Sequence, residues 1–278
     1  MKGVIVAAGY GTRFLPVTKT IPKEMLPIIN KPAIDFVIDE FISSGINQIL
    51  IITSRRKKSL EDYLDREVEL ENALKKEGNE EKLKTITPPQ AEFFFIRQKT
   101  MKGTGHAILL AETFTGKDPF IVAYPDDIFF TQTPVPRQLI KVYQDTGCSV
   151  LGTLYNPPDL HRFGVISIAE NGINVKDIVE KPEPGTELSK EASTGRYLFT
   201  PDFYDYLREG LKFHKKGEYY HTEGLKLMAK KSRLVYKRLE GERLDIGEPT
   251  GYLKAIITYA KMNPVYRKTL KEIGFDIR

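Results

Sequence analysis

Apolar positions along this chain keep two different periods, and the alternation between them predicts the architecture. Short β-branched or aromatic runs at residues 4–6, 46–53, 91–97 and 120–124 read as strands that are apolar on both faces. Between the first two, Ile34, Val37, Ile38, Phe41 and Ile42 recur at helical spacing after Pro32, and Gly45 closes the run. Leu60, Tyr63, Leu64, Leu70 and Leu74 stand among charges and predict one or two surface helices over 59–77, followed by a polar linker at 78–89. A further helix is expected over 107–114. Strand, loop, helix, strand with such apolar strands implies a mostly parallel sheet covered on both faces. Beyond residue 130 the order changes. A helix over 134–143 leads to strands at 149–155, 162–166, 173–180 and 195–199, with a tight turn at Gly172 and a polar loop at 183–194. No helix separates those strands, so the sheet gains antiparallel members. A helix over 201–211, a strand at 232–239, a helix from Gly251 and a peripheral helix over 263–278 complete the chain. The predicted fold class is α/β: a Rossmann-like, mixed, mostly parallel central sheet with helices on both faces and added antiparallel strands in the second half.

The densest chemistry lies in VIVAAGYGTRFLPVTKTIPKEMLP at 4–27. Ala7, Ala8, Gly9 and Gly11 follow the first strand and are too small to hold another molecule at a distance. Such a turn can present backbone N–H groups to an anion or a base edge. Arg13, Lys19 and Lys23 come next, in a loop stiffened by Pro16, Pro22 and Pro27, and suggest a triphosphate site. Neither familiar phosphate motif fits. The dinucleotide fingerprint needs a small residue where Phe14 stands, and the P-loop needs Gly-Lys-Ser/Thr where Gly11-Thr12-Arg13 stands.

Further along, RQKTMKGTGHA at 97–107 sets an amide, Gln98, before a second Gly-x-Gly at a helix start. An amide offers both donor and acceptor to a pyrimidine edge. YPDDI at 124–128 puts carboxylates at the end of a strand, where open α/β sheets bind ligands. A carboxylate there is a natural ligand for a phosphate-bound divalent ion; paired aspartates at a strand end are otherwise commonly turn formers, and Asp127 is also a candidate cap for the following segment. VEKP at 179–182 with GRY at 195–197, as one block, and LDIGEPTGY at 244–252 complete five blocks.

Together these blocks resemble the signatures of sugar-1-phosphate nucleotidyltransferases, and GTRFLPVTKTIPKEMLP is most similar to the bacterial UTP–glucose-1-phosphate uridylyltransferase family. The resemblance runs from Gly3 to about residue 260. It implies a single nucleotidyltransferase domain over 1–278, with 1–130 mainly binding nucleotide, 131–260 mainly binding sugar, and a peripheral helix over 261–278. It implies nucleotide contacts at Ala7, Ala8, Gly9, Gly11, Thr12, Gln98 and Gly103, and sugar contacts at Gly164, Glu180, Gly195 and Glu218. Arg13, Lys23 and Lys181 would be catalytic, and Asp126 and Asp245 would hold Mg²⁺. The substrates implied are UTP and glucose 1-phosphate, and the assembly a homo-oligomer, dimer or tetramer. Four positions depart from the family pattern, and His221 and Glu223 put the exact sugar in doubt. Thr104 stands where the family has leucine in Gly-Leu-Gly-His-Ala, Tyr124 where it has leucine in Leu-Pro-Asp, and His221 where it has leucine in Gly-Glu-Ile-Gln-Leu-Thr-Asp. Glu223 also replaces the aspartate of that last motif. A thymidylyl- or other nucleotidyltransferase, or a nucleotide-sugar-binding regulator without catalysis, stays open at this point.

Composition narrows the classes. The chain has 278 residues, 41% hydrophobic and 28% charged, with a formal net charge of +5, which suits a soluble protein taking polyanionic small substrates. No basic tract interleaved with aromatics suggests nucleic acid. The single cysteine, Cys148, excludes an intrachain disulfide and is expected at the start of a strand. No apolar run reaches the length of a membrane span, and the first strand begins too early for a signal peptide, so a cytoplasmic protein without membrane or nucleic-acid partners is expected. The charge run at 55–58 reads as a solvated helix start.

Overall fold

The computed structural model describes residues 1–275. Its strands are β1 (Lys2–Val6), β2 (Pro27–Ile28), β3 (Lys31–Pro32), β4 (Gln48–Thr53), β5 (Glu92–Arg97), β6 (Phe120–Ala123), β7 (Asp127–Phe130), β8 (Ser149–Tyr155), β9 (Gly164–Ile168), β10 (Val175–Glu180), β11 (Glu191–Phe199), β12 (Leu234–Arg238) and β13 (Glu242–Asp245). One nine-stranded sheet runs β10-β9-β11-β6-β1-β4-β5, with β8 and β12 branching from β11. The first half supplies the parallel members: β6, β1, β4 and β5. The second half adds the antiparallel ones, as β11 pairs β6 and β8, and β10 folds back on β9 through Gly172. Strand β12 then rejoins β8 in parallel. The expected fold class is the observed one.

Alternate residues of the parallel strands feed opposite faces. Val4, Val6, Leu50 and Ile52 enter one core. Ile5, Ala7, Ile49 and Ile51 enter the other, with Ile34, Val37, Ile38 and Phe41 of the helix Ala33–Ser43. A third, smaller core lies under the ribbon β7–β13 and the helix Pro249–Met262. Among the described residues no helix is long and apolar enough to cross a membrane.

Several boundaries differ from expectation for physical reasons. The linker at 78–89 contains a helix, Glu80–Ile86, whose start is capped by Asn79 accepting from the Lys82 N–H at 3.1 Å. The polar loop at 183–194 ends early: Glu191 to Thr194 belong to β11 and are buried, with Glu191 taking the Thr153 hydroxyl at 2.9 Å and the guanidinium of Arg238. The helix expected over 107–114 is two pieces, Thr104–Leu109 and Glu112–Thr115. The last helix is Pro264–Glu272, and the expectation for 276–278 lies outside the described residues. Cys148 flanks β8, which starts at Ser149.

Candidate active site

The carboxyl ends of β1, β5 and β6 open onto a cleft of three linked hollows. The first, about 300 Å³, is walled by Gly9, Gly11, Thr12, Gln98, Gly103 and the side of Asp126. The second, also about 300 Å³, shares Tyr124 and Asp126 with it and continues to Gly164, Glu180, Lys181 and Gly195. The third, about 800 Å³, meets the second at Arg13, Lys181 and Asp245. Residues far apart in the sequence thus line one continuous groove.

The loop after β1 is shaped by local bonds. Gly11 is left-handed (φ 68°) and its carbonyl accepts the Thr18 hydroxyl at 2.7 Å. Short 3₁₀ turns at Thr12–Phe14, Val17–Lys19 and Lys23–Met25 replace the helix that Pro16 forbids. The N–H groups of Gly9 to Thr12 make no backbone hydrogen bond among the described residues, so they stand ready for an anion. Gln98 is buried. Its amide nitrogen donates to the Gly103 carbonyl at 3.0 Å and meets His106 Nδ1 at 3.1 Å, which turns the amide into a fixed wall of the first hollow. Gly103 has φ 93°, and a Cβ there would sit 2.5 Å from the Tyr219 carbonyl, so only glycine fits.

At the junction of the first two hollows Lys23 pairs with Asp126. Burial alone would pull the Lys23 ammonium down, but Asp126 and Glu24 outweigh it and its pKa is raised. Burial likewise pushes Asp126 up, but Lys23 wins and its carboxyl lies below the usual range. Both groups are therefore charged at neutral pH. Behind them, Lys57 donates to both oxygens of Glu24 at 2.7 Å, and both residues are buried. The charge run at 55–58 is thus not simply solvated: Lys57 turns inward because a buried carboxylate from the signature loop awaits it.

Asp245 joins Asp126 through Gly247. The Gly247 N–H donates to Asp245 Oδ1 at 2.9 Å, and Arg13 Nη1 donates to the Gly247 carbonyl at 3.4 Å. A Cβ on Gly247 would lie 2.8 Å from Asp126 Oδ2 and 3.0 Å from Asp245 Oδ1, so the two carboxylates converge on one point that glycine leaves clear. Among the described residues no three metal-ligating side chains form a cage. Two carboxylates at the edge of this cleft nevertheless fit a divalent ion that takes its other oxygens from substrate and water.

Asp127 is not the turn residue expected. It is buried, accepts the Gly195 N–H at 3.0 Å and pairs with Arg243. Burial pushes its carboxyl up against the pull of Arg243, with Asp126 and Asp245 adding to the rise.

On the far side, Glu180 accepts the Thr222 hydroxyl at 2.9 Å, and a Cβ on Gly164 would crowd Glu180 Oε2 at 3.1 Å. Lys181 is a non-glycine residue at φ 48°, held there by its N–H bond to the Phe163 carbonyl at 2.9 Å. Backbone held in this region by its surroundings is common at ligand clamps. Glu218 lies elsewhere than expected. It borders the first hollow, because Tyr219 is zipped to the loop at 102–105 by bonds of 2.8 and 2.9 Å.

Two cations escaped the sequence reading. Arg162 binds Glu248 at 2.8 Å and lies 3.9 Å from Asp245, and Arg243 bridges Asp127 and, at 3.8 Å, Asp245. Arg243 carried a usable signal: two residues before Asp245 on a strand, it must share that residue's face.

A nucleotidyl transferase family model matches residues 2–262. A protein from Staphylococcus epidermidis named UTP–glucose-1-phosphate uridylyltransferase is 42% identical over 97% of this chain and 96% of its own. A crystal structure of a UDP-glucose pyrophosphorylase complexed with UDP-glucose superposes with TM-score 0.80 at 39% identity, covering 94% of this chain and 99% of that one. A UTP-bound UGPase from Acinetobacter baumannii gives TM-score 0.87 at 29% identity over 98% and 97% of the two chains. The chain belongs to the nucleotidyl transferase family, with near-full-length likeness to members named UTP–glucose-1-phosphate uridylyltransferase.

Proposed function

We propose that this protein joins UTP and glucose 1-phosphate to give UDP-glucose and pyrophosphate. The observation that carries the reading is the convergence of Arg13, Lys23, Asp126, Lys181 and Asp245 where the two smaller hollows and the outer basin meet. The nucleotide occupies the hollow of the glycine loop, built mainly by 1–130, and the sugar phosphate the hollow beyond Tyr124, built mainly by 131–260. The names of the near-full-length relatives support the same substrates.

A phosphate monoester has a second pKa of about 6 and is already largely dianionic near neutral pH. Its oxygen can attack the α-phosphorus without a general base. The obstacle is repulsion between two polyanions, so positioning and charge do the catalysis. Lys181 orients the incoming sugar phosphate. Lys23, held charged beside Asp126, lies at the reacting α-phosphate. The fork of Arg13 suits the β- and γ-phosphates and the departing pyrophosphate. Asp126 and Asp245 would hold Mg²⁺, which when bound supplies further positive charge at the α-phosphate. On this reading the enzyme works in the cytoplasm as a dimer or tetramer, as the family resemblance implies.

The test is pyrophosphate release from UTP, dTTP, ATP and GTP, each paired with glucose, galactose and N-acetylglucosamine 1-phosphate. UTP with glucose 1-phosphate should be fastest. Preference for dTTP would move the protein to thymidylyl transfer, and no turnover with any pair would make it a binding protein.

A further inference from the structure

The three residues that replace family leucines at 104, 124 and 221 meet in space. Thr104 Oγ1 lies 2.8 Å from His221 Nδ1 and also accepts the His221 backbone N–H at 3.2 Å. The Tyr124 hydroxyl lies 3.5 Å from the same ring nitrogen. Tyr197 packs edge-on against the imidazole, ring centres 4.9 Å apart. Thr104 and Tyr124 border both the nucleotide-side and the sugar-side hollow, and His221 lines the sugar side. Where the family motifs carry three leucines, this chain sets a hydrogen-bonded cluster between the two hollows.

Nδ1 of His221 is engaged by Thr104. Nε2 has no partner among the described residues and is not one of the sealed polar atoms left unsatisfied, so it keeps accessible surface on a residue that lines the hollow. Burial keeps this imidazole neutral, with its pKa lowered to about 4. A neutral ring has one donor and one acceptor nitrogen, and a hydroxyl can match either. Resting on the proposed sugar-phosphate reading, we infer that Thr104, Tyr124 and His221 form a selectivity wall, in which His221 Nε2 hydrogen-bonds one hydroxyl of the hexose. Thr104 acts as a positioning residue that fixes the ring. A leucine at 221 packs against a sugar but cannot tell a hydroxyl from a hydrogen, whereas a site built to bond a hydroxyl rejects the analogue lacking it strongly.

The experiment measures kcat/KM for pyrophosphate release with UTP and glucose 1-phosphate, then with its 2-, 3-, 4- and 6-deoxy analogues. The wild type should lose up to roughly 10²-fold on one analogue beyond the loss on the others, the scale of one buried polar group left unpaired. His221→Leu should bring that ratio close to that of the other analogues, and the near-isosteric Thr104→Val should lower it partway. A wild type that treats all four analogues alike overturns the inference without any variant. So does a His221→Leu or Thr104→Val enzyme that is slower on every sugar but keeps the wild-type ratios. Lack of turnover with glucose 1-phosphate itself would remove the functional reading and this inference with it.

Discussion

The two ends of the cleft are built by different means. The side proposed for the nucleotide is mostly backbone: a glycine loop after β1, 3₁₀ turns between prolines, and Gly103 pressed against the Tyr219 carbonyl. The side proposed for the sugar is mostly side chains, contributed by β9, β10, β11 and the segment around Thr222. Backbone walls recognise what all nucleoside triphosphates share, phosphates and a flat base. Side-chain walls can change one residue at a time and so choose among sugars. The proposed chemistry sits where the two constructions meet, at Lys23, Asp126 and Asp245.

The largest expected effect tests how the backbone side is braced. Lys57→Met leaves Glu24 buried without its partner, which should cost about 3–5 kcal/mol in urea unfolding. Replacing both, Lys57→Met with Glu24→Leu, should restore much of that loss, since a matched apolar pair leaves no charge unpaired. Because this pair underlies the loop of Lys23, KM for UTP should rise while KM for glucose 1-phosphate stays put. An equal rise in both would erase the distinction between the two ends.

At the meeting point, Lys23→Ala or Asp126→Ala should lower turnover by roughly 10²–10³, the scale of a single electrostatic contact to a transition state. Pyrophosphate release within twofold of wild type in either purified variant would reject the role.

The sugar side should show a pH signature. His221 ionises in the unfolded chain near 6.5 but only at about 4 in the fold, because burial disfavours its charge. Between those values the unfolded state binds the extra proton, so stability is complete above about 6.5 and falls as pH drops toward 4. The contribution amounts to at most roughly 3 kcal/mol by pH 4. Subtracting the profile of His221→Leu from that of wild type isolates it from the carboxylates. A difference that does not change with pH would mean the ring is solvated, and the side-chain wall looser than described.

The same contrast explains what could be read in the sequence. The backbone end is local: Gly9, Gly11, Arg13 and Lys23 fall within one stretch, between a short apolar strand run and a helix of regular apolar spacing. The helix Ala33–Ser43 and the parallel strands were legible for the same reason. Lys57 was not, because a lysine in a basic run looks solvated until a distant loop delivers Glu24. Glu191 to Thr194 looked like loop because their polarity is satisfied by Thr153, Gly152 and Arg238 from other strands. Asp127 looked like a turn former because its partners, Gly195 and Arg243, lie 68 residues or more away. Burial of polar groups is decided by tertiary pairing, and periodicity carries no trace of it.

The central claim is that the two hollows bring the sugar phosphate directly onto the α-phosphorus, with no protein nucleophile between. UTP carrying a single sulfur stereoisomer at the α-phosphorus reports on this when converted with glucose 1-phosphate. A single in-line displacement predicts inversion of configuration in the UDP-glucose formed. Retention would require two displacements through a covalent protein intermediate, and would contradict the account.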